Sequence, residues 1–259
     1  MTTRVALSIA GSDPSGGAGL QADLKTFHRL GVYGEAVVTL ITVQNTRGVT
    51  RVDVLAPDLI LEQIHAVCLD ICPHAAKIGA LGNRAVVEAV AAAAQSFTFP
   101  LVIDPVMISK HGAALIAEDA RSVLIKCLIP RAFLLTPNLE EATVLTGFPV
   151  NDVASMREAA EKLASLGAKN VLIKGGHLQG DAVDILFEPD RGFHEYSSPR
   201  IASKHTHGTG CTYSAAITAE LAKGLELRPA IALAKKFITE AIRTAPGLGS
   251  GTGPLNHHA

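Results

Sequence analysis

The strongest constraint in this sequence is a rhythm: short β-branched runs alternate with longer segments of helical period, the signature of a layered α/β fold. Strand candidates are Val5 to Ala10, Ala36 to Val43, Ala75 to Ile78, Leu101 to Ile103, Phe133 to Leu135 and Val171 to Ile173. Each is a short apolar run, as parallel strands covered on both faces are. Among them, Gly19 to Leu30 has helical character, Ile60, Ile64, Val67, Cys68 and Ile71 fall at helical spacing, and Val86 to Ala94 is alanine-rich. These segments read as helices lying across the sheet. After Lys174 the rhythm changes. Ala182 to Phe187 and Phe193 to Ser197 flank the turn-rich Glu188-Pro189-Asp190-Arg191-Gly192, which predicts an antiparallel edge hairpin. Two helices, roughly Thr209 to Lys223 and Pro229 to Arg243, close the fold before a Gly/Pro-rich tail from Pro246. The expectation is one domain over residues 1–259, a three-layer α/β/α arrangement about a mostly parallel sheet.

Composition narrows the function. With 48% hydrophobic and 18% charged residues the chain has apolar material for a real core, and general disorder is excluded. A net charge of −1 gives no basic field, and 4% aromatics without tryptophan give no base-stacking platform, so nucleic acid is not an expected partner. No apolar run approaches the roughly 20 residues of a membrane helix, and the N-terminus lacks a signal-peptide pattern. Cys68, Cys72, Cys127 and Cys211 have neither zinc nor redox spacing, which favours a reduced cytoplasmic location and no membrane partner.

Two glycine-rich loops stand out. Gly11-Ser12-Asp13-Pro14-Ser15-Gly16-Gly17-Ala18-Gly19 joins the first strand to the first helix, where α/β proteins place ligands. Gly17 occupies the place where a Walker A loop needs lysine. A dinucleotide site would need an acid after the next strand, which instead gives Val43-Gln44-Asn45. Tight strand-to-helix packing is the alternative use of this loop. The second loop, Lys204-His205-Thr206-His207-Gly208-Thr209-Gly210-Cys211-Thr212, runs into a helix, and its amides would point off the helix start, where anions bind. In that setting Cys211 is expected to have a lowered pKa and a thiolate fraction at neutral pH, the alternative being an inert buried cysteine.

Asp104-Pro105-Val106-Met107 puts a carboxylate at a strand's carboxyl end, and Asn138 and Glu141, three apart, would share a helical face after the strand at Phe133. That pair suits a hydrated magnesium beside phosphates, and it equally suits a helix capping box. Lys174-Gly175-Gly176-His177 adds a cation at the same rim. Glycine loops, carboxylates, a lysine and a helix start on one edge are what phosphoryl transfer requires.

The assembled motifs resemble the ribokinase superfamily and, closely, the hydroxymethylpyrimidine and phosphomethylpyrimidine kinases of thiamine biosynthesis. The resemblance runs from Ser8-Ile9-Ala10-Gly11-Ser12-Asp13 and Gly16-Gly17-Ala18-Gly19-Leu20-Gln21-Ala22-Asp23-Leu24-Lys25 through Val43-Gln44-Asn45-Thr46, Lys77-Ile78-Gly79 and Asp104-Pro105-Val106-Met107. It continues in Thr136-Pro137-Asn138, Lys174-Gly175-Gly176-His177 and His207-Gly208-Thr209-Gly210-Cys211-Thr212. It implies a ribokinase-like fold and a two-step kinase that uses ATP and Mg2+, with a monovalent cation as an open further cofactor. The substrate would be 4-amino-5-hydroxymethyl-2-methylpyrimidine and then its monophosphate, and a homodimer is expected. By the same resemblance Asp23 and Gln44 would read the pyrimidine, with Gly11 and Val106 lining the pocket. Gly208, Thr209 and Gly210 would form an anion hole, with Cys211 as base or positioning group. Asn138, Thr209 and Lys174 would serve ATP, and Asp104 and Glu141 the metal. Ala80 stands where the family pattern has methionine, which widens the pocket and keeps pyridoxal in view as a substrate. A binding domain without turnover is the non-enzymatic alternative. Ser109-Lys110-His111-Gly112 and Arg200 to Thr206 are candidate lids.

Overall fold

A computed structural model describes residues 3–107, 115–176 and 178–259. The chain opens with β1 (Val5–Ser12), α1 (Gly19–Arg29), β2 (Tyr33–Asn45), β3 (Gly48–Val54), α2 (Pro57–Asp70), β4 (Ala75–Ile78), α3 (Arg84–Ala93) and β5 (Leu101–Ile103). It continues with α4 (Glu118–Val123), β6 (Leu134–Leu135), α5 (Leu139–Thr146), α6 (Val153–Ser165), β7 (Val171–Gly175), β8 (Ala182–Glu188), β9 (Gly192–Ser198), α7 (Thr209–Ala222) and α8 (Leu227–Arg243). Nine strands form one sheet in the order β3-β2-β1-β4-β5-β6-β7-β8-β9. The run from β2 to β7 is parallel, while β3 pairs antiparallel with β2, β8 with β7, and β9 with β8.

The expected hairpin is thus present at one edge, and the opposite edge carries an antiparallel strand that the apolar runs do not announce. The reason lies in β3 itself, Gly-Val-Thr-Arg-Val-Asp-Val, which lies open on its outer side and alternates instead of running apolar.

Two-residue periodicity sorts the parallel strands between two cores. Leu7, Ile9, Ile78, Ile103 and Ile173 pack with residues of α2 to α6 on one face. Ala6, Val102 and Leu172 pack with α1, α7 and α8 on the other. The three-layer expectation holds. Helix α7 is buried at every position from Thr212 to Ala222, which explains why it lacks an amphipathic stripe. Among the described residues no helix is long and apolar enough to cross a membrane.

The Gly/Pro-rich tail does not hang free. His207 donates its amide to Gly253 at 3.1 Å, Thr252 donates to the Thr46 carbonyl at 2.8 Å, and Leu255 is only 2% exposed. The tail is a strap laid across the second glycine loop and the β2–β3 turn.

Candidate active site

The parallel strands all point their carboxyl ends to one rim, and the loops that hold Asp13, Asp104, Asn138 and Lys174 lie there. Asp13 builds the first loop. Its Oδ1 accepts from the Ser15 amide and hydroxyl at 2.8 and 2.7 Å, and its Oδ2 accepts from the Gly17 and Ala18 amides at 3.1 and 2.8 Å. The same Oδ2 lies 2.8 Å from His207 Nε2, so one carboxylate ties the first glycine loop to the second. Burial works against its charge, but the bonds to His207 and Ser15 prevail and hold the carboxyl at about 2. The two loops also meet backbone to backbone. Gly208 has φ +81° and lies on the Gly17 carbonyl, where any Cβ would collide.

Gly208 caps the start of α7, and Cys211 stands in that helix's first turn. The Thr209 amide and hydroxyl both turn back to the Thr206 carbonyl, at 3.3 and 2.8 Å, so Thr209 is engaged within its own loop. The amides of Gly208, Gly210 and Cys211 remain as the candidate anion-hole donors of the turn.

Cys211 lines a cleft together with Gly11, Gln44, Ala80, Val106 and Lys77. Four of the five residues expected to meet the substrate are in that wall. Ala80 is pinned by the Thr39 hydroxyl, which donates to its carbonyl at 2.6 Å. Asp23 is the fifth, and it lies behind that wall. It is fully buried outside the cleft lining, with both oxygens on Lys77 Nζ at 2.7 and 2.8 Å and the Ser8 hydroxyl donating to Oδ2 at 2.6 Å. Burial raises its pKa, against the pull of Lys77.

The acidity expected of Cys211 is corrected. Burial pushes the thiol up and outweighs the Lys77 charge and the Gly19 amide that pull it down, while Asp23 and Asp104 push it further up. A helix start alone does not make a thiolate when the sulfur is taken out of water.

Beside the cleft is a charged corner. Lys174 Nζ lies 2.6 Å from Asp104 Oδ1, and a Cβ placed on Gly210 would sit 3.4 Å from that ammonium and 3.5 Å from Asp104 Oδ2. Glycine at 210 keeps the helix start open to both charges. Burial opposes the ammonium's charge, but Asp104 and Glu141 more than offset it and raise the Lys174 pKa. Asn138 and Glu141 form the capping box of α5: Glu141 donates its amide to Asn138 Oδ1 at 2.9 Å, and Asn138 donates its amide to Glu141 Oε2 at 2.8 Å. The capping box stands at the corner, because Asn138 is bridged to Lys174 along the extended β6 and β7. Burial raises Glu141 to about 7, with Lys174 pulling down and Asp104 pushing up.

Of the candidate lids, Ser109-Lys110-His111-Gly112 lies outside the described residues. Arg200 donates to the carbonyls of Gly176, Leu178 and Gly180, fastening the 200–206 segment to the loop after β7. Asp13 and Lys77 are residues of the site's framework to which the motifs assigned no role. Lys77 has a visible signal, since an ionisable residue in the apolar strand Ala75-Ala76-Lys77-Ile78 demands a buried partner.

Known proteins resemble this chain in sequence and in fold. A family model described as phosphomethylpyrimidine kinase matches residues 13–256. A hydroxymethylpyrimidine/phosphomethylpyrimidine kinase of Bacillus subtilis is 44% identical over 262 residues, covering all of this chain and 96% of that one. The thiamine biosynthesis bifunctional protein ThiED of Geobacter sulfurreducens is 52% identical over 253 residues, 97% of this chain, which spans about half (51%) of that protein's length. An ADP complex of Bacillus subtilis pyridoxal kinase superposes with a TM-score of 0.91 at 40% identity, covering all of this chain and 98% of that one. The match extends from Asp13, hub of the first glycine loop, to Asn256 in the strap that holds the second, and the chain belongs to the phosphomethylpyrimidine kinase family.

Proposed function

We propose that the chain transfers the γ-phosphoryl group of ATP to the hydroxymethyl oxygen of 4-amino-5-hydroxymethyl-2-methylpyrimidine, then a second one to the monophosphate, giving the diphosphate used in thiamine diphosphate biosynthesis. One observation carries the reading: Cys211 lines the apolar cleft while its neighbour Gly210 faces Lys174 and Asp104. Acceptor and donor sites thus meet at the start of α7.

In the cleft, the Gln44 amide offers a donor and an acceptor to an aminopyrimidine edge, with Gly11, Ala80 and Val106 packing round the ring. Asp23 serves this site indirectly, as the anchor of Lys77. The Cys211 sulfur, as its thiolate, takes the hydroxyl proton as the oxygen bonds to the γ-phosphorus and the bond to the ADP oxygen breaks. The amides of the α7 start hold the charge of the transferring group, and Lys174 and the Asn138 side-chain Nδ2 hold the donor phosphates with the Thr209 turn beside them. In the second transfer the attacking phosphate oxygen is already ionised, so positioning and positive charge matter more than a base.

Magnesium fits the corner. Asp104 and Glu141 set two carboxyl groups beside the single ammonium of Lys174, and a hard cation there would favour the ionised form of Glu141, which burial raises to about 7. Among the described residues no group of three ligating side chains stands together, so Asp104 and Glu141 would hold the ion through water and phosphate oxygens. Bound there, it would neutralise phosphate charge.

A second reading, pyridoxal phosphorylation alone or in addition, is favoured by the likeness to a pyridoxal kinase structure and by the small Ala80 in the cleft wall. The protein is read as a cytoplasmic homodimer. Ile41 and Val43, adjacent on one face of β2 and 48% and 54% exposed, offer apolar surface to a second copy. The deciding experiment incubates the protein with ATP, Mg2+ and either hydroxymethylpyrimidine, its monophosphate or pyridoxal, and weighs the products. Mono- and diphosphate from the pyrimidines support the first reading. Pyridoxal phosphate alone supports the second, and no product from any of them refutes both.

A further inference from the structure

Lys77 has no part of its own in the mechanism above, yet it is fully buried at the centre of the sheet between apolar neighbours. A buried ion pair adds little stability over an apolar pair of the same volume, so fold stability is a poor account of its presence. Its surroundings are specific. Both Asp23 oxygens lie within 2.8 Å of the ammonium, and Ser8 fixes the carboxylate from the other side at 2.6 Å. Lys77 and Cys211 line the same cleft.

We infer that Lys77 is a positioning residue for phosphoryl transfer: clamped by Asp23 and Ser8 beneath the cleft, it supplies the positive charge that offsets part of what burial and the nearby carboxylates impose on the Cys211 sulfur and so keeps the thiolate within reach. This rests on the reading of Cys211 as proton acceptor. The charged groups that act on the sulfur come from four elements: Lys77 on β4, Asp23 on α1, Asp104 after β5 and Lys174 on β7. Burial and the two carboxylates favour the thiol, and the Lys77 charge is the strongest influence in the other direction. Lys174 is already committed to Asp104 at 2.6 Å. Without Lys77 the sulfur would face burial and negative charge, and proton transfer from an alcohol at neutral pH would have a poor acceptor. Substrate, by excluding water from the cleft, strengthens the same attraction. The clamp explains why Asp23 sits behind the lining: it fixes the ammonium without competing with it for the substrate.

The test reads the thiol directly, apart from turnover. Replacing Cys68, Cys72 and Cys127 by alanine leaves Cys211 as the sole cysteine, and its alkylation by iodoacetamide is followed by intact mass from pH 6 to 10. In that background Lys77→Met raises the midpoint of the rate profile by one pH unit or more and slows alkylation at pH 8 about tenfold. Lys77→Arg, which keeps the charge, returns the midpoint toward the parent. The kcat with hydroxymethylpyrimidine falls at least tenfold in Lys77→Met while KM changes less than threefold. An unchanged alkylation midpoint overturns the proposal. Should Lys77→Met fail to fold by circular dichroism, Lys77→Gln decides. It removes the positive charge while keeping a hydrogen-bond donor for Asp23, so the midpoint moves up, and a static or downward midpoint overturns the proposal. Full turnover in Cys211→Ala, by contrast, overturns the underlying reading of Cys211 and this inference with it.

Discussion

Asp13→Asn is the sharpest perturbation of the loop architecture. The carboxylate accepts from five donors, three of them on Oδ2, and asparagine would turn an N–H group toward either that set or the Ser15 pair. The carboxyl is held at about 2 against a reference of 3.8, and its side chain is 1% exposed. At about 1.36 kcal/mol per pH unit this corresponds to on the order of 2 kcal/mol of stability. Leaving a buried amide without its acceptor adds about 1 kcal/mol or more. The variant should be destabilised by about 3 kcal/mol at pH 7, lowering Tm by roughly 6–12 °C for a chain of this size. The pH dependence carries the reasoning. For a depressed carboxyl the stabilisation is fully present above the unfolded-state pKa and is lost as pH falls through the folded one, here from 3.8 toward about 2. Urea unfolding at pH 7 and pH 3 should show the gap between parent and variant narrowing by about 1 kcal/mol at the lower pH. Equal gaps at both pH values would refute the assignment of Asp13 as the ionised hub. Because the hub also carries His207, kcat/KM should fall more than tenfold in a variant still folded at the assay temperature.

Three further outcomes follow from the site and its surroundings. Cys211→Ala should lower the first phosphoryl transfer about 100-fold or more and the second by less than tenfold, since only the first needs an alcohol proton removed; equal losses, read by product mass spectrometry, would refute the base role. Ala80→Met should reduce the ratio of pyridoxal to hydroxymethylpyrimidine turnover, and an unchanged ratio would remove Ala80 from the determinants of specificity. Glu35 is a buried carboxyl raised to about 7 by burial and by Asp70, so the folded state holds its proton while the unfolded chain loses it. Native stability should therefore decline between about pH 4.5 and 7, and Glu35→Gln should abolish that decline and raise Tm at pH 8, a gain that thermal unfolding at pH 5 would not show.

The parallel strands were legible because burial on both faces writes an apolar run, as in Leu101–Ile103. An edge strand such as β3 writes no such run, and its pairing with β2 depends on a turn whose geometry lies outside local periodicity. The cleft residues Gly11, Gln44, Ala80, Val106 and Cys211 were legible through family motifs whose positions the fold brings to one rim. What the motifs hid was depth. Asp23 and Gln44 look alike as polar readers in a sequence, yet one is sealed behind Lys77 and the other opens to the cleft. Cys211 shows the same limit, since a helix start is visible in sequence whereas the burial that opposes it is a property of the packed state. Asn138 and Glu141 had two readings, and the structure makes them compatible by placing the capping box next to Lys174.

The backbone contact between Gly17 and Gly208 joins segments that lie far apart in the sequence. Neither loop can lengthen, or take a side chain at the contact, without the other giving way. Chimaeras between relatives offer a direct view of that coupling. Any single crossover between the first helix and the last strand would give a hybrid whose two loops have different parents. Hybrids of that kind should work only where both parents share the same spacing at this contact, whereas a double crossover that exchanges the middle of the chain keeps the loop pair intact and should be tolerated far more widely.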